Sequence, residues 1–236
     1  MKARFFYHKC KEVLASLAQA EELFISGKQN TTSILRITMP QIFCQGDFMT
    51  MLTRFTKTYP QIKLDITISN DNIDLVQQDI DFAFRGGMLT DSQMQYVKLF
   101  KASTMLCAPA TWKKDLTASQ QLQMITDKLL IPSYVNLSIL RTYLQKIGIK
   151  KPLNQFTAIN DAFSYKNAVL SGMGVGIFLD FFIATELKEQ RLWHIKEPYH
   201  FEYRTLDFTM IFHKNVKLAT SHQVFKSFVS NYFTDS

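Results

Sequence analysis

The sequence predicts an α/β protein made of two similar lobes joined by two crossing strands. The first observation is the stretch of residues 35–87, where the hydrophobic period changes four times between that of a strand and that of a helix. The second is that the same order of patterns returns after Lys128. The third is a pair of strand-like segments, residues 97–108 and 206–212, that are placed to carry the chain into the second lobe and back. We therefore expect a cleft between the lobes, hinged by these two strands.

Within residues 35–87, the strands are predicted from their apolar runs and from the residues that stop them. Pro40 closes the first run. Residues 62–68 alternate between apolar and polar side chains, which predicts an edge strand with one buried face. The third run ends at Arg85 and Gly86. Two crossovers of this length predict parallel strands with helices packed on the sheet.

Two helices are predicted between these strands. The first carries apolar residues at helical spacing and ends at Pro60. Asn70 and Asp71 would cap the second. The apolar face of that second helix would consist of Ile73, Leu75 and Val76.

The second half of the chain repeats this order. Residues 129–131, 156–159 and 175–179 predict strands, and two helices alternate with them. Asn136 would cap the first of these helices, and Asn160 with Asp161 would cap the second. Two similar α/β lobes are the simplest fold that explains this repeated order.

An amphipathic helix is predicted ahead of the first lobe. Its apolar residues are spaced four, three, four, three, four, which is the seam of a heptad repeat, and Gly27 ends it. Packing on its own domain would explain such a face. However, a polar, turn-rich link at residues 28–33 separates it from the first strand, which favours pairing with another chain. The predicted dimerisation residues are Phe6, Cys10, Val13, Leu17 and Phe24.

Composition and charge argue against several classes of protein. A chain that is 47% hydrophobic and 20% charged is typical of a soluble domain, and it contains no run of eighteen apolar residues. The first eleven residues lack the apolar core of a signal peptide, so we expect a cytoplasmic protein without a membrane partner. The net charge of +7 comes from basic residues scattered along the chain, which argues against direct nucleic-acid binding.

No pattern predicts catalysis, a metal site or a nucleotide site. The three cysteines are odd in number and far apart, so we expect buried free thiols. The five histidines show no ligand spacing, and no serine or cysteine lies in a nucleophile elbow. Gly172, Gly174 and Gly176 follow a helix and precede a strand, which reverses the order in a dinucleotide loop. We expect no enzymatic activity and no cofactor.

The candidate site is instead the carboxyl ends of the strands, where open α/β sheets bind ligands. The residues after Pro40 are predicted to enter a helix whose free amides would bind an anionic or carbonyl group. Arg85 would supply a cation, although a salt bridge at a strand end explains it equally well. Asn160 is more often a helix cap than a ligand. The predicted ligand-binding residues are Pro40, Gln41, Ile42, Phe43, Arg85, Gly86, Ser133, Tyr134 and Asn160.

Four stretches carry a resemblance to a known family. They are LRITMP, RFTKTYPQIKLDITISN, IDLVQQDIDFAFRGG and NDAFSYKNAVLSGMGVGIF. Their order and spacing resemble the effector-binding domain of LysR-type transcriptional regulators along nearly the whole chain. The resemblance implies two Rossmann-like lobes of the periplasmic-binding-protein type. It divides the chain into a linker helix (1–30), a first lobe (31–105 with 208–236) and a second lobe (106–207).

The resemblance also implies a function. A small-molecule effector would bind between the lobes of a homodimer, or of a tetramer, and the linker helices would pass the change to DNA-binding domains. The winged helix-turn-helix of the family is not part of this sequence, so we expect DNA contact only through such a domain. Where the family often has small hydroxyl residues after the first strand, this chain has Gln41, Ile42 and Phe43, which argues against an anionic effector.

Two other classes remain open. A solute-binding protein of a transporter shares the two-lobed cleft but would need a secretion signal or lipid anchor, and it has little use for a heptad helix. An enzyme would need a nucleophile, a metal or an acid pair at the strand ends, and Arg85 with Asn160 does not provide one.

Overall fold

A computed structural model describes residues 33–71, 74–87, 94–114, 116–132, 137–146, 148–195, 205–214 and 220–234. The predicted leading helix and its dimerisation residues Phe6, Cys10, Val13, Leu17 and Phe24 lie outside these ranges. The described residues form nine strands and six α-helices. In chain order these are β1 (Ser33–Met39), α1 (Gly46–Thr58), β2 (Ile62–Ile68), β3 (Phe82–Gly86), β4 (Met94–Pro109), α2 (Ala118–Lys128), β5 (Leu130–Pro132), α3 (Leu137–Lys146), β6 (Thr157–Ile159), α4 (Ala162–Leu170), β7 (Gly176–Leu179), α5 (Ala184–Lys188), β8 (Leu192–His194), β9 (Thr205–His213) and α6 (Thr220–Thr234).

The chain folds into the predicted two lobes. The first lobe contains β1 to β3, and β1 pairs in parallel with β2 on one side and β3 on the other, as two crossovers require. The strand order is β2-β1-β3-β9-β4-β7, so β2 is the predicted edge strand. In the second lobe, β5 pairs in parallel with β6, and β7 and β8 pair with β4.

Strands β4 and β9 connect the lobes. From Met94 to Ser103, β4 pairs antiparallel with β9 in the first lobe, and from Thr104 onward it pairs with β7 and then β8 in the second. At this change of partner, the Asp180 carboxylate accepts a hydrogen bond of 3.0 Å from the Ser103 amide. The predicted pair of crossing strands is therefore present. Asp180, which directly follows β7, connects the point where β4 changes its partner to the end of β7.

The apolar cores follow the predicted faces. In the first lobe, Leu35, Ile37 and Met39 of β1 are buried beneath α1 and α6 in a core rich in phenylalanine rings. In the second lobe, one core contains Leu106 and another contains its neighbour Cys107, because successive side chains of β4 point to opposite faces.

The second helix predicted for the first lobe is not present in residues 74–80. Residues 75–79 form turns instead. The Asp74 carboxylate accepts from the amides of Val76 and Gln77, and Asp79 has a positive φ of 54°. A side chain that competes for backbone amides favours a turn over a helix. Leu75 is still buried, whereas Val76 is exposed.

The start of the first helix also differs from the prediction. Gln41, Ile42 and Phe43 form a short 3₁₀ turn, and α1 begins only at Gly46, which has a φ of +62°. In this connection, the side chains of Gln41 and Gln45 contact the second lobe.

None of the helices in the described part of the chain is long and apolar enough to cross a membrane.

Candidate functional site

The carboxyl ends of the first-lobe strands meet at Arg85. Its guanidinium donates to the carbonyl of Phe84 at 2.8 Å, to the Thr38 hydroxyl at 3.2 Å and to the carbonyl of Asp71 at 3.1 Å. Burial lowers the pKa of Arg85 from its ordinary value, and the charge of Asp71 opposes this shift. Most of its donors are therefore used to join the ends of β1, β3 and the chain after β2. A ligand near Arg85 would therefore interact mainly with its positive charge, because most of its N–H donors are already used.

Gly86 lies next to Arg85 and leaves room for an aromatic ring. A Cβ atom at this position would lie 2.8 Å from the nearest ring carbon of Phe208, its partner on β9. The absence of a side chain thus lets the Phe208 ring cover the end of β3.

Pro40, Ile42 and Phe43 have three different environments. Pro40 is partly exposed, and its carbonyl accepts from the Phe43 amide at 3.1 Å. Ile42 packs against the core of each lobe. Phe43 is fully buried, with its ring 5.4 Å from that of Phe208 between centroids. Phe43 contributes to the first-lobe core, and of the three residues Ile42 lies on the boundary between the lobes.

Gln41 reaches directly across the boundary. Its Nε2 donates to the Asp161 carboxylate at 2.6 Å, and its Oε1 accepts from the Ala162 amide at 3.2 Å. Asp161 is the N-cap of α4, since its other carboxylate oxygen accepts from the Ser164 amide at 2.7 Å. These hydrogen bonds, the ones from Ser164 being the largest cause, hold the pKa of Asp161 below its ordinary value.

Gln45 makes a second contact between the lobes. Its Oε1 accepts from Lys166 Nζ at 2.8 Å, and its Nε2 donates to the Phe182 carbonyl. Lys166 is buried and forms an ion pair of 2.9 Å with Glu186. Its Nζ also lies 4.4 Å from the centroid of the Phe182 ring. A buried, paired ammonium is therefore the second-lobe partner of Gln45.

The remaining predicted residues lie apart from these contacts or outside the described ranges. Asn160 precedes the true cap, Asp161, and is exposed. The predicted capping role of Asn160 is therefore wrong. Ser133 and Tyr134 lie outside the described residues.

Sequence reasoning did not select Gln45, Lys166 or Glu186, and it treated Asp161 only as a helix cap. For Gln45 the visible signal was its position, four residues after Gln41 in the same segment that was predicted to enter a helix. The ion pair between Lys166 and Glu186 had no signal, because these residues are twenty positions apart on different helices.

The described residues contain no group of three or more His, Cys, Asp or Glu side chains arranged to bind a metal. Cys107 is buried, which raises the pKa of its thiol to about 12, and Cys44 is half-buried. Both are free thiols. Cys107 is thus a packing residue at neutral pH.

Comparison with known proteins gives the family. The model of the LysR substrate binding domain matches residues 28–234. The chain belongs to this family. Its two-lobed α/β fold is the periplasmic-binding-protein-like fold of LysR effector-binding domains.

Two solved structures illustrate the likeness of fold. The regulatory domain of CrgA, a LysR-type transcriptional regulator from Neisseria meningitidis, has a TM-score of 0.70 at 19% identity over 86% of this chain and 100% of that one. The AmpR effector-binding domain from Citrobacter freundii has a TM-score of 0.68 at 18% identity, with the same coverage.

The related sequences are regulators. The HTH-type transcriptional regulator CrgA of Neisseria meningitidis is 21% identical over 190 residues, which cover 79% of this chain and 63% of CrgA. A carbapenem-hydrolyzing beta-lactamase transcriptional activator from Serratia marcescens is 32% identical over 104 residues, 44% of this chain and 35% of that protein. This chain therefore spans less than two thirds of the length of the curated relatives it matches.

Proposed function

We propose that this chain is the effector-sensing and dimerising regulatory part of a LysR-type transcriptional regulator and binds a small molecule between its two lobes. The match of residues 28–234 to the LysR substrate binding domain carries the proposal. The relatives that are regulators favour it over a transporter's solute-binding protein.

The proposed site lies between the carboxyl ends of the strands of the two lobes. We assign residues 31–105 with 208–236 to the first lobe and 106–207 to the second. The change of strand partners after Ser103 supports a boundary near this point. The residues assigned to the effector site remain Pro40, Gln41, Ile42, Phe43, Arg85, Gly86, Ser133, Tyr134 and Asn160, and Asp161 is added to them.

The charges near Gln41 favour a neutral effector or one that donates hydrogen bonds. The Asp161 carboxylate lies directly at Gln41 and is held in its ionised form by its hydrogen bonds. A carboxylate placed there would be repelled by Asp161, whereas an amide, hydroxyl or amine would find an acceptor. This agrees with the absence of small hydroxyl residues after Pro40.

Sensing requires that the effector binds one arrangement of the lobes better than another, since otherwise nothing is transmitted. We propose that the homodimer, paired through Phe6, Cys10, Val13, Leu17 and Phe24, transmits this difference to a winged helix-turn-helix domain outside this sequence. Without such a domain, this chain is not expected to bind DNA, and we propose no enzymatic activity for it.

The ligand site is tested by calorimetric screening of metabolites with matched variants. We expect a metabolite that binds the chain and binds Gln41→Ala at least about tenfold more weakly, because Gln41 lies at the boundary of the lobes. Gln123→Ala is the control, because Gln123 is exposed on α2 and bonds to Asp127 of the same helix at 2.9 Å. A metabolite with equal affinity for the chain, Gln41→Ala and Arg85→Ala would contradict the site.

The dimerising role is tested by sedimentation of the chain with and without residues 1–27. A regulator that pairs through its leading helix loses self-association when this segment is removed. A solute-binding protein would sediment as the same species in both forms. Circular dichroism of the shortened chain checks that the two lobes remain folded.

A further inference from the structure

The two glutamines that cross between the lobes lie on one short connection. Gln41 is in the 3₁₀ turn after β1, and Gln45 directly precedes α1. Both side chains end on the second lobe. Gln41 bonds to Asp161, 120 positions away, and Gln45 bonds to Lys166, 121 positions away. The connection between β1 and α1 therefore bonds to the second lobe at two points.

At the first point, the carboxamide of Gln41 is complementary to its partners. A carboxylate only accepts and a backbone amide only donates, so the Nε2 must face Asp161 and the Oε1 must face the amide of Ala162. Ala162 is buried and is the first residue of α4, whose amide has no partner within the helix. Gln41 therefore supplies, from the first lobe, the acceptor for this amide of the second lobe.

At the second point, Gln45 binds a fixed partner. Lys166 is 5% exposed, is paired with Glu186 and also donates to the Phe182 carbonyl at 3.4 Å. Separation of the lobes at Gln45 breaks a hydrogen bond to a charged group, so this contact favours the arrangement in which the lobes touch. Both side chains of this pair belong to the second lobe, and Gln45 is their contact with the first.

An apolar contact lies between the two points. Ile42 packs against the cores of both lobes, and from the other side Leu179 and Phe181 do the same. The two lobes are thus joined here by an apolar contact in addition to the two polar ones.

We propose that Gln41, Ile42 and Gln45 form an interlobe clasp that keeps the cleft closed in the absence of effector. This rests on the proposed function, since it describes how the same cleft is regulated. The clasp sets the arrangement of the lobes in the free protein, and an effector acts on this balance by favouring the closed or the opened arrangement.

The test uses amide hydrogen exchange of the free chain, read at single residues by NMR. In Gln41→Met the side-chain length is kept and the carboxamide is lost, so the Ala162 amide should exchange at least about tenfold faster. The decisive variant is Gln45→Met, because the hydrogen bonds of Gln45 go to Lys166 and Phe182 and the one to the Ala162 amide comes from Gln41. If the two contacts act as one clasp, Gln45→Met also speeds exchange at Ala162.

Two amides and one variant serve as controls. The Ser164 amide keeps its acceptor on Asp161 and should change less than that of Ala162 in Gln41→Met. The Ile177 amide, held by the Tyr165 hydroxyl at 2.8 Å inside the second lobe, reports on the fold. Gln123→Met should leave all three amides as in the unmodified chain. Should a methionine variant fail to fold, Gln41→Ala and Gln45→Ala replace it.

Unchanged exchange at Ala162 in folded Gln45→Met would overturn the clasp, because the two contacts would then be independent. Since no effector is used, this outcome leaves the proposed sensing role in place. Conversely, a screen without any bound metabolite would contradict the sensing role while coupled exchange still supported the clasp.

Discussion

At the scale of single residues, Tyr165 joins two strands that do not pair with each other. Its hydroxyl donates to the carbonyl of Leu130 on β5 at 3.1 Å and accepts from the amide of Ile177 on β7 at 2.8 Å. Leu129 and Val175 form an isolated bridge just before these strands, and the hydroxyl bonds to the backbone groups that follow it. Tyr165 is fully buried, so water cannot take its place.

We expect Tyr165→Phe to lower the free energy of unfolding by about 1–3 kcal/mol, because a buried carbonyl and a buried amide lose their partner. Urea unfolding followed by circular dichroism measures the loss. Tyr96→Phe is the control, since Tyr96 is 57% exposed on β4 and should cost less than about 0.5 kcal/mol. Equal losses in the two variants would show that the Tyr165 hydroxyl does not join the strands.

At the scale of elements, α6 is attached to the sheet near its first turn. His222 Nε2 lies 2.8 Å from Oδ1 of Asp81, which precedes β3, and the other Asp81 oxygen accepts from the Arg36 amide at 2.8 Å. Burial by itself would raise the pKa of Asp81, but the hydrogen bonds from His222 and Arg36 and their charges outweigh it and hold the pKa below its ordinary value. The ionised carboxylate therefore stabilises the attachment of α6.

This shift predicts a dependence of stability on pH. A lowered carboxyl pKa in the folded state stabilises the protein above the unfolded pKa of about 3.9 and ceases to do so as the pH falls through the folded value. We expect the urea concentration at the unfolding midpoint of the unmodified chain to decrease when the pH is lowered below about 4. Asp81→Asn should be less stable at pH 7 and should lose less on acidification.

The control for this prediction is Asp65→Asn, at an exposed position of β2. It should follow the acid profile of the unmodified chain. If Asp81→Asn followed that profile too, then Asp81 would contribute nothing to the acid sensitivity of the fold.

At the scale of the whole molecule, Phe181 connects the two lobes. It follows β7 of the second lobe, yet its ring centroid lies 5.2 Å from those of Phe100 and Phe208 and 6.0 Å from that of Phe43. A second-lobe side chain is thus part of the aromatic core of the first. We infer that the lobes unfold together mainly because of this shared apolar seam.

We expect Phe181→Ala to lower stability by about 2–4 kcal/mol and to separate the unfolding of the two lobes. Calorimetry should then show a broadened or double transition. Phe163→Ala is the matched control, because Phe163 packs within the second lobe, 5.4 Å from Phe182 between ring centroids. Phe163→Ala should lower the midpoint temperature of unfolding and still unfold in a single transition. A single sharp transition in Phe181→Ala would mean that the strands β4 and β9 alone couple the lobes.

Local pattern was informative where one face of an element is buried. The alternation over residues 62–68 predicted an edge strand, and β2 is one. It failed where a side chain competes with the helix, as at Asp74, whose carboxylate holds residues 75–79 in turns. Apolar identity also did not separate Phe43, a core residue, from Ile42 at the lobe boundary, because both are simply hydrophobic in sequence.

By itself, the sequence determined the class of fold, the parallel crossovers of the first lobe and the two crossing strands, because these follow from the period of hydrophobic residues and from the prolines and glycines that interrupt it. Only the tertiary structure decided that Gln41 meets Asp161 and that Gln45 meets Lys166. Such contacts depend on how two separately formed lobes dock about β4 and β9. A glutamine on a loop looks the same in sequence whether it faces water or a helix cap 120 residues away.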